Sequence, residues 1–130
     1  MAENALLGAV RAFQSGDAAA AAALMDPDVV WHSPGRRQPG AGTHRGIDDV
    51  LNAFGRIATA PGRLDLQIVT ALTGGDGYEA VVYRHRRTRE DASLDAAIAL
   101  VARVERGRLT EVWEHIYDLF EFDDFYGGAT

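Results

Sequence analysis

The sequence predicts an α+β domain in which three helices are followed by four long strands. Two observations support this fold class. Before Pro61, apolar residues recur at the 3.6-residue spacing of amphipathic helices. From residue 62 onward they alternate with polar or small residues, which is the spacing of strands with one buried face. No helical segment separates these strands, so we expect an antiparallel meander with the helices covering one face.

The three helices are recognised by apolar stripes and by residues that start or stop a helix. The first helix ends at Gly16, since glycine readily adopts the left-handed conformation found after helix ends. Asp17 can cap a second helix, formed by an alanine run that Pro27 terminates. The third helix begins near Gly46 and must end before Pro61. The apolar stripes are Leu6, Ala9, Val10 and Phe13 in the first helix and Ile47, Val50, Leu51 and Phe54 in the third.

Five strands are predicted from residue type and turn signals. Residues 28–33 form a short one, because they are β-branched or aromatic, and the proline- and glycine-rich residues 34–46 form a loop. The long strands cover about residues 64–72, 78–88, 94–104 and 109–118, with turns around Gly75 and Gly107. A sheet of this length curls, so under helices it encloses a conical hollow. The acidic and aromatic tail, residues 121–126, is expected to add a helical turn or a lid.

Composition narrows the chemistry that the chain can perform. Its 130 residues form one domain, 1–130. All thirteen cationic residues are arginine and cysteine is absent, which removes thiolate nucleophiles, Schiff-base lysines and Cys-ligated metals. A net charge of −6 argues against a nucleic acid partner. No apolar run reaches the ~20 residues of a membrane span and the first four residues lack the basic start of a signal peptide, so we expect a cytoplasmic protein.

Several motifs follow one another in a specific order: Gly16-Asp17, residues 27–35, His44-Arg45-Gly46, residues 107–115, then Asp118 and the aromatic tail. This order resembles SnoaL-like proteins of the nuclear transport factor 2-like (NTF2-like), or ketosteroid isomerase-like, superfamily. The resemblance implies a cone that binds a small, largely apolar molecule and performs cofactor-free acid/base chemistry on it, such as isomerisation, cyclisation, dehydration or epoxide opening. The alternative is a module of the same fold that binds a ligand or protein without chemistry. A homodimer through the open face of the sheet is also expected.

Two reaction schemes of this superfamily need carboxylates that the chain lacks at the matching positions. The general base of ketosteroid isomerases matches Ser33, and the acid of their oxyanion hole falls near Ala99. Steroid isomerisation by that mechanism is therefore not expected. In limonene-type epoxide hydrolases the acidic strand matches residues 82–86, which contain no acid here, and a further aspartate falls close to His115. The resemblance thus leaves proton chemistry chiefly to histidines.

The candidate catalytic residues are His115, His32 and Asp118. The resemblance favours the face of the last strand that carries Trp113 and His115 as the pocket face, and an imidazole in an apolar pocket titrates near neutral pH. Asp118 is the nearest carboxylate, but a separation of three residues from His115 places it on the opposite face unless the strand bulges. His32 and Trp31 are neighbours, so only one can point inward, and the family register favours Trp31. The candidate ligand-binding residues are Trp31, His44, Phe54, Tyr83, His85, Trp113 and Tyr117.

Metal sites and charged partners receive less support from the sequence. The four histidines show neither an i, i+4 pair nor a His-Glu-x-x-His motif, so we expect neither a metal nor a cofactor. Arg84, Arg86, Arg87 and Arg89 form the only basic cluster. This cluster is interpreted as a solvated edge or an interface, with a phosphate- or carboxylate-bearing partner as the alternative.

Overall fold

The computed structural model describes residues 4–127 and confirms the α+β class. Its helices are α1 (Ala5–Ser15), α2 (Ala18–Ala23), α3 (Ile47–Thr59) and α4 (Leu119–Gly127). Its strands are β1 (Met25–Ser33), β2 (Gly42–Arg45), β3 (Arg63–Thr73), β4 (Tyr78–Arg89), β5 (Ala92–Glu105) and β6 (Arg108–Ile116). Residues 1–3, on which the expectation about a signal peptide rests, lie outside the described part. Within residues 4–127, no helix has the length and apolar character needed to cross a bilayer.

The six strands form one curled, unclosed sheet in the order β2-β1-β6-β5-β4-β3. The antiparallel meander of β3 to β6 is as predicted. The partner of β1 is not predicted from the sequence: β1 pairs with β6 in parallel, with Trp31 opposite Val112. The loop expected over residues 34–46 also contains a strand, β2, which extends the sheet beyond β1. The sheet is therefore mixed, and the first strand of the chain lies beside the last.

Two bulges shift which residues of a strand face the core. In β3 the register changes between Ile68 and Thr70, and the intervening Val69 is 59% exposed. In β6, Glu111 pairs with Arg103 and Leu109 with Val104, which leaves Thr110 unpaired. Because each bulge adds one residue to a strand of period two, buried positions change parity across it. Leu109 and Val112 are accordingly both fully buried although they are three residues apart.

The helix ends follow the predicted signals at the start of the chain. Asn4 accepts a hydrogen bond from the Leu7 N–H at 2.9 Å and caps α1, and Gly16 ends that helix with φ of 71°. Asp17 caps α2 by accepting from the Ala20 N–H at 3.0 Å. The apolar stripes of α1 and α3 then pack on the concave face of the sheet, where Leu6 and Val50 are fully buried.

Arg87 holds the C-terminal end of α3 against the sheet. Its side chain is 1% exposed on the concave face of β4, and its guanidinium donates to the carbonyls of Ile57, Ala60 and Gly62. These carbonyls lack partners within the helix, so a buried cation there satisfies them and complements the negative end of the helix dipole. The interpretation of the arginine cluster as a solvated edge therefore fails for Arg87. It fits Arg84 and Arg86, which point to the other face and pair with Asp95 at 2.7 and 3.4 Å.

Candidate functional site

A deep pocket lies between the concave face of the sheet and the helices. Its walls are largely apolar, with Val10, Phe13, Phe54, Ile57, Leu66 and Leu100 among the lining side chains. The space between the lining atoms, including the open mouth, is about 700 Å³. This apolar slot suits a small, largely apolar molecule.

Glu114 is the carboxylate of this pocket, and among the described residues that line it there is no other. β6 projects Glu114 to the concave face after the bulge at Thr110. Burial raises the pKa of Glu114 from its usual 4.5 to about 7, and hydrogen bonding from the Ser33 and Trp31 side chains offsets part of this rise. Glu114 can therefore accept or donate a proton near neutral pH, as a general acid/base requires.

Tyr83 is a hydrogen-bond donor in the same pocket. It lies on β4, is 8% exposed, and its hydroxyl has no hydrogen-bond partner among residues 4–127. Burial and then the nearby charges of Glu114 and Tyr126 raise the pKa of Tyr83 well above 10, so its phenol stays protonated. A protonated, unpaired hydroxyl beside an acid/base can donate to an oxygen atom of a bound molecule.

A second polar group consists of His85 and Arg87 of β4 and Tyr126 of α4. The His85 Nε2 lies 2.5 Å from the Tyr126 hydroxyl, and the Nε of Arg87 donates to that hydroxyl at 3.2 Å. Burial, followed by the charge of Arg87, lowers the pKa of His85 to about 4. His85 is therefore neutral at pH 7, and the Tyr126 hydroxyl can donate its proton to Nε2 while it accepts from Arg87.

The C-terminal helix α4 and the loop before β2 close one side of the pocket. Phe122 and Tyr126 of α4 line the wall, and Phe122 packs edge-on against His85 with ring centroids 4.9 Å apart. On the loop side, the Nε2 of His44 donates to the Gly40 carbonyl at 2.8 Å. The tail that the sequence marks as a helical turn or a lid is thus a helix that forms part of the pocket wall.

Five of the ten candidate site residues line the pocket. These are Trp31, His44, Phe54, Tyr83 and His85. Trp31 and Ser33 point inward and His32 outward, in the register that the family resemblance implies. The ring of Trp31 packs edge-on against Phe54, with centroids 5.0 Å apart. The ligand-binding role of these five residues remains a prediction that their placement permits.

The other five candidates lie elsewhere, which corrects their predicted placement. His115 and Tyr117 are exposed, and Trp113 stacks on His32 across the outer face of the sheet, with ring centroids 5.9 Å apart. His32 also pairs with Glu111 at 2.6 Å on that face. Because of the bulge at Thr110, the concave face of β6 continues from Leu109 to Val112 and Glu114. Trp113 and His115 therefore face outward, opposite to the orientation that the family resemblance implies.

Asp118 has a structural role. Its backbone has φ of 53°, and its side chain accepts from the Glu121 N–H at 3.2 Å, which caps α4. Asp118 therefore starts the C-terminal helix and does not meet a histidine. The residue that sequence reasoning missed is Glu114. The available signal was its place between the apolar Val112 and Ile116, where a charged residue on a buried face is unusual.

A curled sheet covered by helices around an apolar slot with one carboxylate defines a small-molecule pocket of the NTF2-like, ketosteroid isomerase-like fold, and structures so described share this fold. The SnoaL-like domain model matches residues 7–112. The chain belongs to the SnoaL-like domain family. It is 33% identical over 131 residues to the uncharacterised protein Rv0034 of Mycobacterium tuberculosis, covering 97% of this chain and 99% of that protein.

Two solved structures are also similar over nearly their whole length. Bal32a, from a soil-derived mobile gene cassette, has a TM-score of 0.86 and 30% identity over 94% of this chain and 93% of its own. A protein of cystatin-like fold from Xanthomonas campestris has a TM-score of 0.81 and 28% identity over 95% of each chain. These similarities establish the fold, and the chemistry must be argued from the pocket itself.

Proposed function

We propose that the protein is an enzyme that moves a proton within a small, largely apolar carbonyl compound, with Glu114 as the general acid/base. The observation that carries the proposal is a buried carboxyl group in a largely apolar slot, where burial raises its pKa to about 7. A base works best when its pKa lies near the working pH, because it is then deprotonated often enough and still accepts a proton readily. A structural carboxylate would gain nothing from this position.

In the proposed reaction, ionised Glu114 removes a proton from the carbon next to the carbonyl. The electron pair of that C–H bond moves to the carbonyl oxygen and forms an enolate. Protonated Glu114 then returns the proton to the enolate, either at the same carbon or, where a carbon–carbon double bond is conjugated with the enolate, at the far carbon of that system, so that the double bond moves. No external reactant is consumed. Tyr83 is the proposed donor to the enolate oxygen, because its hydroxyl is protonated and unpaired within the described residues.

The ligand is proposed to be uncharged. The cation nearest the pocket, Arg87, already donates to three carbonyls and to Tyr126, so it has little capacity left for an anionic ligand. A ligand carboxylate would also lie near Glu114. Among proteins of the same fold, TerC has been crystallised with polyporic acid, at a TM-score of 0.75 and 18% identity. That protein shows only that the fold is compatible with an organic ligand.

The test measures exchange of carbon-bound hydrogen for deuterium in flat bicyclic ketones, of which 2-tetralone is the simplest. Thermal shift first identifies the ketones that bind, and NMR in D₂O then follows exchange. We expect wild-type protein to accelerate exchange with an apparent pKa of about 7. Glu114→Gln should reduce the rate by about 10²- to 10⁴-fold, and Tyr83→Phe by about 10²-fold. His115→Ala, on the exposed face, is the matched control and should leave the rate unchanged.

The alternative, a binding module without chemistry, predicts a different result. A ketone that binds but exchanges no faster than in buffer would refute the catalytic part and favour that alternative. Exchange that persists in Glu114→Gln would refute the role of Glu114. If no ketone of the series bound, the proposed ligand class would be wrong. The expected homodimer through the outer face of the sheet remains a prediction, and sedimentation of wild type and Trp113→Arg tests it.

A further inference from the structure

The C-terminal helix holds the loop before β2 through one carboxylate. Asp123 of α4 accepts hydrogen bonds from three consecutive backbone N–H groups, those of Arg36 at 3.0 Å and of Arg37 and Gln38 at 2.8 Å each. Burial pushes the pKa of Asp123 upward, but these donors and the charge of Arg37 outweigh it, and the net pKa is lowered. The loop is therefore fixed to the helix by an ionised group.

Gly35 shows how closely the helix and the loop approach. Its φ is 97°, in the region that favours glycine. A Cβ atom at this position would lie 2.8 Å from the Oδ1 of Asp123 and 3.3 Å from the Leu119 side chain. The sequence thus supplies a glycine where both the backbone conformation and the contact with Asp123 require one.

Gln38 carries this attachment into the pocket. Gln38 is 5% exposed, and both the nitrogen and the oxygen of its side-chain amide form hydrogen bonds. The Nε2 donates to the Ser33 Oγ at 2.8 Å and to the Pro34 carbonyl at 2.7 Å, and the Oε1 accepts from the Gly40 N–H at 2.7 Å. An amide held at three points has one orientation, so it presents a fixed donor to Ser33.

The orientation of Gln38 determines where the Ser33 proton goes. A serine hydroxyl has one proton to donate, and here its oxygen accepts from Gln38. Its own proton is then available to Glu114, which lies on the adjacent parallel strand, one residue beyond the pairing of His32 with Trp113. Hydrogen bonding from Ser33 favours the ionised form of Glu114.

We propose that Asp123 and Gln38 are positioning residues through which the docked C-terminal helix orients the Ser33 hydroxyl toward Glu114. This inference rests on the proposed function, because it assigns a controlling role to the surroundings of the same acid/base. It couples the loop before β2 to Glu114 and α4, which are distant from that loop in the sequence. The helix that forms one wall of the pocket also sets the proton affinity of the group that would react.

Other groups also face Glu114, and their effect on its pKa must be distinguished from that of the relay formed by Asp123, Gln38 and Ser33. They are Trp31 of β1, His44 of β2, Tyr83 and His85 of β4 and Tyr126 of α4. The segments of α1, α3 and β5 that line the pocket contribute apolar side chains only, among the described residues. Tyr83 and Tyr126 are protonated and His85 is neutral at pH 7, because the pKa values of the tyrosines are raised and that of His85 is lowered. Tyr83, Tyr126 and His85 therefore keep their charge near pH 7, where Glu114 titrates.

The test is an NMR titration of the Glu114 carboxyl carbon, assigned by its loss in Glu114→Gln. We expect Ser33→Ala to raise the titration midpoint by about one pH unit, since a hydrogen bond to a charged group is lost. Gln38→Met, of similar length but without the amide, should raise it by part of that amount. Asp123→Ala should act in the same direction. Asp124→Ala is the matched control, because Asp124 is 80% exposed and only pairs with Arg37 at 3.4 Å.

Double variants show whether these residues act through Ser33. In the Ser33→Ala background, Gln38→Met and Asp123→Ala should leave the midpoint where Ser33→Ala alone puts it. The relay would be overturned if the shifts of the midpoint in the single variants add up in the double variants, or if Gln38→Met titrates with the same midpoint as wild type. If Gln38→Met does not fold, the Asp123→Ala variants with and without Ser33 decide the question. If the titration contradicts the relay but Glu114→Gln abolishes deuterium exchange, the proposed function still stands. If exchange persists in Glu114→Gln, the proposed function is refuted, whatever the titration shows about the relay.

Discussion

Replacing Glu114 with glutamine should make the protein more stable, and increasingly so as the pH rises. Glutamine has nearly the shape of a protonated glutamic acid and carries no charge at any pH. In the folded protein the pKa of Glu114 is raised to about 7, whereas an unfolded chain has the usual value of 4.5. The folded state therefore holds this proton over a pH range in which the unfolded state has released it.

The sign and the magnitude follow from these two values. Below pH 4.5 the carboxyl is protonated in both states and costs nothing. Between pH 4.5 and 7 the folded state binds more protons, so its stability falls as the pH rises, and above pH 7 the full cost of burying the charge is present. The difference between the two pKa values corresponds to about 3 kcal/mol. This is an upper value, because the carboxylate keeps some exposure to the pocket.

The assay is urea unfolding of wild type and Glu114→Gln from pH 4 to 8.5. The difference in unfolding free energy should be small at pH 4 and approach about 3 kcal/mol at pH 8, equivalent to a rise in Tm on the order of 10 °C. Other titrating groups cancel, since both proteins contain them. Glu90→Gln, at an exposed turn position, serves as control and should show no such trend. A difference that stays constant from pH 4 to 8.5 would refute the raised pKa and the acid/base role built on it.

Three further predictions concern the residues that support the pocket. Because the pKa of His85 is lowered to about 4 from 6.5, His85 by itself should remove up to about 3 kcal/mol of stability as the pH falls from 6.5 to 4, opposite in sign to the contribution of Glu114. The unfolding free energy of wild type minus that of His85→Gln, from urea titrations, should fall by that amount over this range. Arg87→Met should destabilise the protein by about 3 kcal/mol, because three carbonyls at and just after the end of α3 lose their donor. Arg84 is exposed, so Arg84→Met should cost less than about 1 kcal/mol by the same measurement. Asp118→Ala should cost about 1 kcal/mol through the lost cap of α4, and Asp118→Asn should retain most of it in thermal melts.

The face of the last strand could not be predicted from alternation alone. Leu109 is apolar and buried, and counting in twos from it leads to Trp113 and His115. The extra residue at Thr110 reverses the parity, so that the core face continues with Val112 and Glu114. A bulge of this kind depends on how β5 and β6 pair, which a local pattern does not contain. The same physics explains why the exposed Val69 interrupts β3.

Elements that depend on local chemistry were predictable, and those that depend on distant partners were not. The cap at Asp17 and the stop at Gly16 involve neighbours within four residues, and the structure confirms both. The parallel pairing of β1 with β6 joins residues about eighty positions apart. The burial of Arg87 likewise needs the end of α3 to be in place, and an arginine in an alternating basic stretch gives no sign of it.

That long-range pairing also explains how the site can keep a carboxylate although the chain has Ser33 where ketosteroid isomerases have their base. Because β1 and β6 are adjacent and parallel, inward-facing residues near the same level of the two strands reach the same part of the pocket. Glu114 thus lies next to Ser33, whose hydroxyl lowers the pKa of the carboxyl group. Placing a second carboxylate at Ser33 would set two like charges side by side and drive their pKa values apart. In the proposed reaction, a serine at this position leaves the carboxylate on β6 as the single acid/base, and the histidines on the outer face of the sheet take no part.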